Sequence, residues 1–342
     1  MPFFHFPRPW TNIASRDTTD PSTYAARRQF IRTLGLGSIA VAAGPLACQA
    51  SPEQGLKASL DGATPGAGPL DKIPENAPKD VFPVPASGTY TVPERPLTER
   101  LTASSYNNFY EFKHQGDLKT VWPLVDDYEV FPMTLEVAGE VDEPQRFDID
   151  TLIRSMPLEE RTYRFRCVEA WSMTVPWTGF PLSALIRACN PNSRATHVRF
   201  TSVNRPDQMP GIANGPWYPW PYFEGLRMDE AMNDLAFVAV GMYGAPLPKQ
   251  NGAPLRVVLP WKYGYKGPKA VVKIEFVRRE PQTFWQQLQP TEYPFLSNVD
   301  PSTPHPRWSQ ATEKLLVSTT DVRRIATQPY NGYGAWVADL YR

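Results

Sequence analysis

Alternation of apolar and polar residues over short stretches is the main structural pattern along this chain. Such alternation, with a period of two, is typical of β-strands that bury one face. Because regular strand–helix alternation is lacking, a doubly wound parallel sheet is disfavoured and an α+β fold with mixed sheets or a barrel-like core is predicted. The predicted strands are residues 133–141, 162–168, 196–203, 255–259 and 270–278. The predicted helices are residues 149–155 (capped by Asp148), 182–188 (with Pro181 in its first turn), 229–233, 284–288 and 310–316.

Composition and charge narrow the classes of protein that fit this pattern. The 342 residues include 35 basic and 35 acidic side chains, and this balance argues against a nucleic-acid partner. With 42% hydrophobic and 20% charged residues the chain is not intrinsically disordered. Its 38 prolines are about twice the usual share of ~5%, which excludes a helical bundle.

The N-terminal 50 residues have the pattern of an export signal. Arg27 and Arg28 are followed by Phe-Ile and by a glycine-containing apolar stretch at 34–47. That stretch is shorter than the ~20 residues that cross a bilayer, and the paired arginines are typical of a twin-arginine signal. We therefore expect export to the periplasm by the twin-arginine machinery, a route that carries folded proteins and so favours a cofactor acquired beforehand. A basic amphipathic arm or a weak membrane anchor is the alternative.

The predicted domain boundaries follow from this signal. Residues 1–50 are expected to be removed by cleavage near Ala50, while lipidation of Cys48 stays open. Residues 51–100 are rich in Pro, Gly, Ala and Ser without sustained periodicity, which predicts a linker or a segment that wraps the surface. The folded domain is predicted to cover residues 101–342.

One cysteine lies in the most informative stretch of the chain. Strand alternation places Tyr163, Phe165 and Cys167 on one face, and Arg164 and Arg166 on the other. A cysteine at the end of such a strand, beside a polar turn, is positioned to face a pocket. Nearby arginines could lower the pKa of its thiol, and a thiolate is both a nucleophile and a ligand for soft metals. A buried core cysteine, a catalytic nucleophile and a metal ligand are therefore all open interpretations.

The remaining histidines and cysteines bear on that choice. A cysteine nucleophile needs a base, and His114, His197 and His305 do not lie in a recognisable cysteine-hydrolase pattern. Cys189 is predicted to be a small buried residue at a helix end. A disulfide between Cys167 and Cys189 would suit an oxidising compartment and would block the thiolate.

Two further clusters are candidates for ligand binding. Residues 249–269 contain four lysines, one arginine and several glycines, a combination that suits an anionic phosphate or, alternatively, a solvated loop. Residues 106–112 combine two amides with a phenol, which could hydrogen-bond a heterocycle or simply form a turn that packs its aromatic rings.

Five long motifs, in order, resemble the family of molybdopterin-dependent catalytic subunits of periplasmic protein-methionine-sulfoxide reductases. The resemblance runs from about residue 106 to residue 341 and agrees with the twin-arginine signal. It implies the sulfite-oxidase fold, a mixed α+β domain around one molybdenum–molybdopterin cofactor. The motifs are YNNFYEF (106–112), LEERTYRFRCVEAWSMTVPWTGFPL (158–182), QNGAPLR (250–256), PWKYGYKGPK (260–269) and HPRWSQATE (305–313).

The resemblance also implies roles for individual residues. Cys167 would be the protein ligand of molybdenum, and Glu169 would either relay protons or brace the turn. Ser202 stands where the family usually has threonine and keeps the hydroxyl, whereas Pro268 lacks an N–H to donate. The residues implied to hold the cofactor are Asn107, Tyr110, Glu111, Ser202, Asn251, Arg256, Gly267, Pro268 and Lys269.

The implied activity is reduction of methionine sulfoxide in oxidised periplasmic proteins, as part of protein repair. The sequence has neither a CxxCH haem motif nor a cysteine set for an iron–sulfur cluster. The resemblance accordingly implies a haem-containing membrane subunit as electron donor, with this subunit soluble or peripherally attached through it. A sulfite dehydrogenase or a small-sulfoxide reductase on the same fold, and a metal-free periplasmic binding module, are the alternatives.

Overall fold

The computed structural model describes residues 68–115 and 119–342. The expected signal, its cleavage position and Cys48 lie outside the described residues. Within the described residues, no helix has the length and apolar character needed to cross a membrane. Two mixed β-sheets and a few short helices make up this part of the chain, so the predicted α+β class is confirmed.

The strands and helices are short, and long irregular connections join them. The strands are β1 (Thr134–Gly139), β2 (Gln145–Asp148), β3 (Glu159–Arg166), β4 (Trp171–Pro181), β5 (His197–Ser202), β6 (Phe223–Arg227), β7 (Phe237–Met242), β8 (Ala245–Pro246), β9 (Arg256–Val258), β10 (Val271–Val277), β11 (Thr312–Leu316) and β12 (Val322–Ala326). The α-helices are α1 (Arg100–Ser105), α2 (Ile149–Ser155), α3 (Leu182–Cys189), α4 (Pro210–Ala213), α5 (Met228–Ala231), α6 (Phe284–Leu288) and α7 (Gly334–Val337). Single turns of 3-10 helix occur at Pro69–Asp71, Lys79–Val81, Trp122–Leu124, Lys249–Asn251, Gly264–Lys266, Pro329–Gly332 and Ala338–Tyr341.

Each sheet combines antiparallel neighbours with one parallel pair. The five-stranded sheet has the order β2-β1-β10-β5-β6, in which β1 and β10 are parallel. The seven-stranded sheet has the order β12-β11-β4-β7-β8, with β3 paired to β4 and β9 paired to β7. In this sheet β11 and β4 are parallel, whereas β3 and β4 form a long antiparallel hairpin. The turn of that hairpin carries Cys167, so the second sheet presents the candidate thiol at the end of two buried strands.

The alternation of apolar and polar residues predicted the half-buried strands but did not predict the fully buried ones. Ten of the eleven residues of β4 are buried, and all six residues of β7 are buried. A strand covered on both faces has no polar face to alternate with, so the pattern gives no period of two there. The helix α2 agrees with the prediction, and the Asp148 carboxylate accepts the Thr151 N–H at 2.9 Å as its cap.

Two local predictions are wrong. The helix predicted at 310–316 is absent, and Thr312–Leu316 form strand β11 instead, because Leu315 and Leu316 are buried in the seven-stranded sheet beside β4 and β12. Pro181 lies one residue before α3, at its N-cap, rather than in its first turn.

The described part of the proline-rich segment lies along the seven-stranded sheet. The Ser87 N–H donates to the Glu160 carbonyl at 2.8 Å, beside the first residue of β3. The Thr98 N–H donates to the Thr174 carbonyl at 2.9 Å, in the middle of β4. The later part of this segment therefore binds to the sheet by main-chain hydrogen bonds, and we call residues 68–99 the strap.

Candidate active site

Cys167 lies in a tight turn between β3 and β4. The Cys167 N–H donates to the Trp171 carbonyl at 2.9 Å, and the Ala170 N–H donates to the Cys167 carbonyl at 3.1 Å. Ala170 has a φ of 62°, a left-handed conformation that the turn requires. Cys167 is 8% exposed, and both it and Cys189 are free thiols, so no disulfide joins them.

The electrostatic surroundings of this thiol differ from the sequence-based expectation. Burial raises the pKa of the Cys167 thiol to about 12, and the nearby Glu169 charge raises it further, outweighing Lys119 and Arg166. The Arg166 charge does act to lower this pKa, as expected, but burial and the Glu169 charge outweigh it in the protein alone. A metal cation supplies a much larger positive charge and deprotonates a coordinating thiol outright.

Glu169 is held firmly beside the thiol. Its Oε2 accepts hydrogen bonds from Asn108 Nδ2 at 3.0 Å and from Trp171 Nε1 at 3.1 Å, and it pairs with Lys119. The same Oε2 lies 3.9 Å from Cys167 Sγ. Burial opposes ionisation, but the Lys119 charge and these donors outweigh it and keep the pKa of Glu169 below its usual value. Sequence analysis missed Lys119, since it lies 50 residues from Glu169 and in no motif.

The basic cluster at 249–269 divides into cations with different partners. Lys262 Nζ lies 2.5 Å from Glu230 Oε1, and Lys266 Nζ lies 2.7 Å from Glu224 Oε2, both in buried ion pairs. These two lysines therefore stabilise the fold, and the interpretation of this stretch as a single phosphate-binding cluster is corrected. Arg256 is the strongest remaining candidate from it.

Arg256 is a buried cation for which no acidic side chain of the described residues forms an ion pair. Its guanidinium donates to the Asn251 carbonyl at 3.1 Å and lies 5.0 Å from the centre of the Trp177 ring. Burial alone lowers the pKa of Arg256 to about 10. A buried positive charge of this kind is costly unless an anion compensates it.

The buried Glu111 and the half-buried Lys269 form a second charged group close to Arg256. Lys269 Nζ donates to the Asn108 carbonyl at 2.6 Å. Burial and the Arg256 charge lower the pKa of Lys269 to about 7, whereas burial raises that of Glu111 to about 7. Gly252, with a φ of 106°, lets the Lys269 side chain approach, since a Cβ there would lie 2.9 Å from it. The fold thus brings two cations and one carboxylate together, and we call the surroundings of Arg256, Lys269 and Glu111 the pocket.

Several polar atoms of the implied cofactor residues are buried without a partner among the described residues. They are Asn107 Nδ2 and Oδ1, Ser202 Oγ, Asn251 Oδ1 and Arg256 Nε. Buried polar groups in proteins are nearly always hydrogen-bonded, so each such atom needs an explanation. A molybdopterin, with many ring nitrogens and oxygens and an anionic phosphate, fits this set of donors, acceptors and cations.

The other implied residues lie around the same turn or beside β9. The Tyr110 ring packs at 4.9 Å from Trp285, and burial raises the pKa of Tyr110 well above its usual value. Gly267 and Pro268 adjoin β9, where the Val257 N–H donates to the Pro268 carbonyl at 3.0 Å. The Gly267 N–H already donates to the Gly264 carbonyl at 3.2 Å. The main chain at 267–268 is therefore engaged in its own turn and in β9.

Comparison with known proteins places this site in a family. Residues 123–285 match the family model described as oxidoreductase molybdopterin binding domain. The protein-methionine-sulfoxide reductase catalytic subunit MsrP of Xanthomonas axonopodis pv. citri (strain 306) is 43% identical over 96% of this chain and 95% of its own. The chain belongs to the family of protein-methionine-sulfoxide reductase catalytic subunits. It is therefore a molybdopterin-dependent oxidoreductase, with a molybdenum–molybdopterin cofactor, and the resemblance seen in the motifs is confirmed.

Two other proteins were found to be similar to this chain. The MsrP catalytic subunit of Burkholderia mallei (strain ATCC 23344) is 49% identical over 75% of this chain and 77% of its own. Among solved structures, the sulfane dehydrogenase SoxCD of Paracoccus pantotrophus is 15% identical, with a TM-score of 0.39, over 61% of this chain and 55% of that one. A likeness at that level carries no argument about activity.

Proposed function

We propose that this chain reduces methionine sulfoxide in oxidised proteins, at a molybdenum–molybdopterin centre that Cys167 ligates. The observation that supports this most directly is the set of unpartnered polar atoms near Cys167, together with the buried Arg256 and the half-buried Lys269. The relatives that share most of the chain carry this activity in their names. When bound, the cofactor supplies a two-electron oxygen-atom transfer that removes the oxygen from a sulfoxide.

The residues of the chain then bind and orient that cofactor. Cys167 Sγ would be the protein ligand of the metal, and the side chains of Asn107, Ser202 and Asn251 would hydrogen-bond the pterin. Arg256, with Lys269 beside it, provides positive charge for the phosphate, since guanidinium and ammonium donors bind phosphate oxygens by charge-assisted hydrogen bonds.

Glu169 is assigned to bracing the turn rather than to relaying protons. Its Oε2 is engaged by Asn108, Trp171 and Lys119, and its pKa is held low, so it keeps its charge near neutral pH. A proton relay needs a group that gains and loses a proton near the working pH. The two protons that accompany sulfoxide reduction therefore come from solvent or another group.

The cellular setting is part of the same proposal. The paired arginines at 27–28 support export to the periplasm by the twin-arginine machinery. Electrons would come from a haem-containing membrane subunit, consistent with relatives that are named catalytic subunits. Fractionation of cells with intact and with disabled twin-arginine export tests the location. Full-length protein that stays functional in the periplasm without that export route would contradict it.

The activity is tested on holoenzyme purified after export. We expect about one molybdenum per chain and reduction of oxidised protein with a chemical electron donor. Cys167→Ser should remove the thiolate-to-metal absorption and the turnover. Cys189→Ser is the matched control, because Cys189 is also a free, buried cysteine, and it should keep both signals.

The results that would overturn the proposal differ for each part. Robust sulfite oxidation without sulfoxide reduction would favour the sulfite dehydrogenase alternative. Well-folded protein without molybdenum would favour the binding module. Wild-type turnover in Cys167→Ser would show that Cys167 is not the ligand.

A further inference from the structure

The turn that carries Cys167 is held by one buried arginine. Arg166 has no exposed surface, and its Nη1 donates to the carbonyl oxygen of Cys167 itself. Its Nη2 donates to Gln310 Oε1 at 2.7 Å, and its Nε lies 3.0 Å from Glu313 Oε2. One planar guanidinium therefore connects the main chain of Cys167 to two side chains near the C-terminus.

The next carbonyl of the turn is held by the same C-terminal segment. The Val168 carbonyl accepts hydrogen bonds from Trp308 Nε1 at 2.8 Å and from Gln310 Nε2 at 2.7 Å. Gln310 thus bonds Arg166 with its oxygen and Val168 with its nitrogen. The Val168 carbonyl is thus fixed directly by residues 140 and 142 positions later in the chain, and the Cys167 carbonyl is fixed through Arg166, which Gln310 also bonds.

A second arginine completes this network from the strap. Glu313 is fully buried, and its other oxygen, Oε1, lies 2.8 Å from Arg95 Nη1. The carboxylate therefore bridges two guanidinium groups. Breaking a buried pair by removing one partner is strongly unfavourable, so this arrangement holds Arg166 in one orientation.

We infer that Arg166 is a positioning residue for the metal ligand. By fixing the Cys167 carbonyl it sets the direction in which Sγ projects, and Glu313 and Gln310 aim the guanidinium that does so. This inference rests on the proposed role of Cys167 as the ligand of molybdenum. Groups that orient a metal ligand, without touching the metal, commonly change affinity or activity by about 10–100-fold when they are replaced.

The same strand provides a matched control two residues earlier. Arg164 points to the same side of β3 as Arg166, since alternate residues of a strand share a face. It pairs with Glu94 of the strap, donates to Gln328 Oε1 at 2.5 Å, and donates to the Asn331 carbonyl at 3.0 Å. Arg164 thus has the same kinds of partner as Arg166, but its main-chain partner is Asn331 rather than Cys167.

The test compares Arg166→Lys with Arg164→Lys in the holoenzyme. Lysine keeps the charge, but its three donors share one nitrogen, so it cannot reach partners spread over the width of the guanidinium fork. We expect Arg166→Lys to retain molybdenum, to shift and broaden the electron paramagnetic resonance spectrum of the molybdenum(V) state, and to lower kcat about tenfold. Arg164→Lys should lose comparable stability yet keep the wild-type spectrum.

Gln310→Met serves as a second variant in case Arg166→Lys does not fold. It removes the bonds to Arg166 and Val168 while leaving every charge in place, and it should change the spectrum in the same direction. A wild-type spectrum in whichever of these variants folds, or an equal spectral change in Arg164→Lys, would overturn the inference. If Cys167→Ser itself leaves the wild-type spectrum unchanged, the ligand assignment fails instead, which separates the two outcomes.

Discussion

Two groups of buried cations in this protein come from one short stretch of sequence and have opposite surroundings. Lys262 and Lys266 each lie against a buried glutamate, and each also donates to a main-chain carbonyl. Arg256 and Lys269 lie in the pocket near Cys167, where Glu111 is the carboxylate that acts on Lys269. The first group is electrostatically complete within the protein, whereas the second leaves positive charge to be balanced by a bound anion.

The difference shows how a structural cation can be told from a functional one. Both kinds are buried, and both are lysines or arginines beside glycine-rich turns, so residue type and spacing do not separate them. The two groups differ in their partners. Glu230 and Glu224 neutralise the first group. Near the second group, polar atoms of Asn107, Ser202 and Asn251 lack partners among the described residues. A protein keeps such costly groups where a ligand satisfies them.

The largest expected effect is on the stability of the protein, and it tests the lysines that are paired with buried glutamates. Glu230→Gln leaves Lys262 buried without its counterion, and we expect the free energy of unfolding to fall by about 3–5 kcal/mol. Denaturant titration of protein produced without the pterin measures this. In the same assay Arg256→Gln should cause no comparable loss, because no acidic partner in the described structure is left behind. Equal losses of unfolding free energy in the two variants would show that the two groups of cations do not differ in this way.

A smaller effect is expected on cofactor retention. Arg256→Gln removes a charged hydrogen-bond donor worth about 1.5–3 kcal/mol, so the molybdopterin content should fall about tenfold or more. Lys249→Gln is the control, since Lys249 comes from the same basic stretch but donates to the Asp126 carbonyl at 2.8 Å. Metal and pterin analysis of purified protein measures the content. Full cofactor content in Arg256→Gln would show that Arg256 does not bind the phosphate.

A third effect is expected on the pH dependence of stability. Burial lowers the pKa of Lys269 from 10.5 to about 7 in the folded protein. Between these values the unfolded chain binds more protons, so the stability of cofactor-free protein should rise with pH across that range. Lys269→Met should flatten the rise, as measured by denaturant titration at several pH values. The same slope in both proteins would show that Lys269 is not buried as a strained cation.

How far the fold could be predicted depended on whether a strand had a solvent-facing side. Strands β1, β5 and β10 carry mixed patterns and were predicted near their observed bounds, whereas the almost wholly buried β4 and β7 were not. The prediction of a helix at 310–316 is wrong. The buried Glu313 interrupts the alternation of apolar and polar residues by which a strand is recognised. That glutamate is buried because Arg95 and Arg166, both distant in sequence, compensate its charge.

The sequence alone determined the local elements and the residues that carry chemistry. Alternation, the Asp148 cap and the five motifs depend on neighbouring residues, and they were enough to predict the α+β class and to indicate the family. Only the tertiary structure decided which cations are neutralised, what holds Glu169, and what supports the Cys167 turn. Those answers depend on partners 30 to 220 residues away, and pairing at such distances is set by the packing of the two sheets rather than by any local pattern.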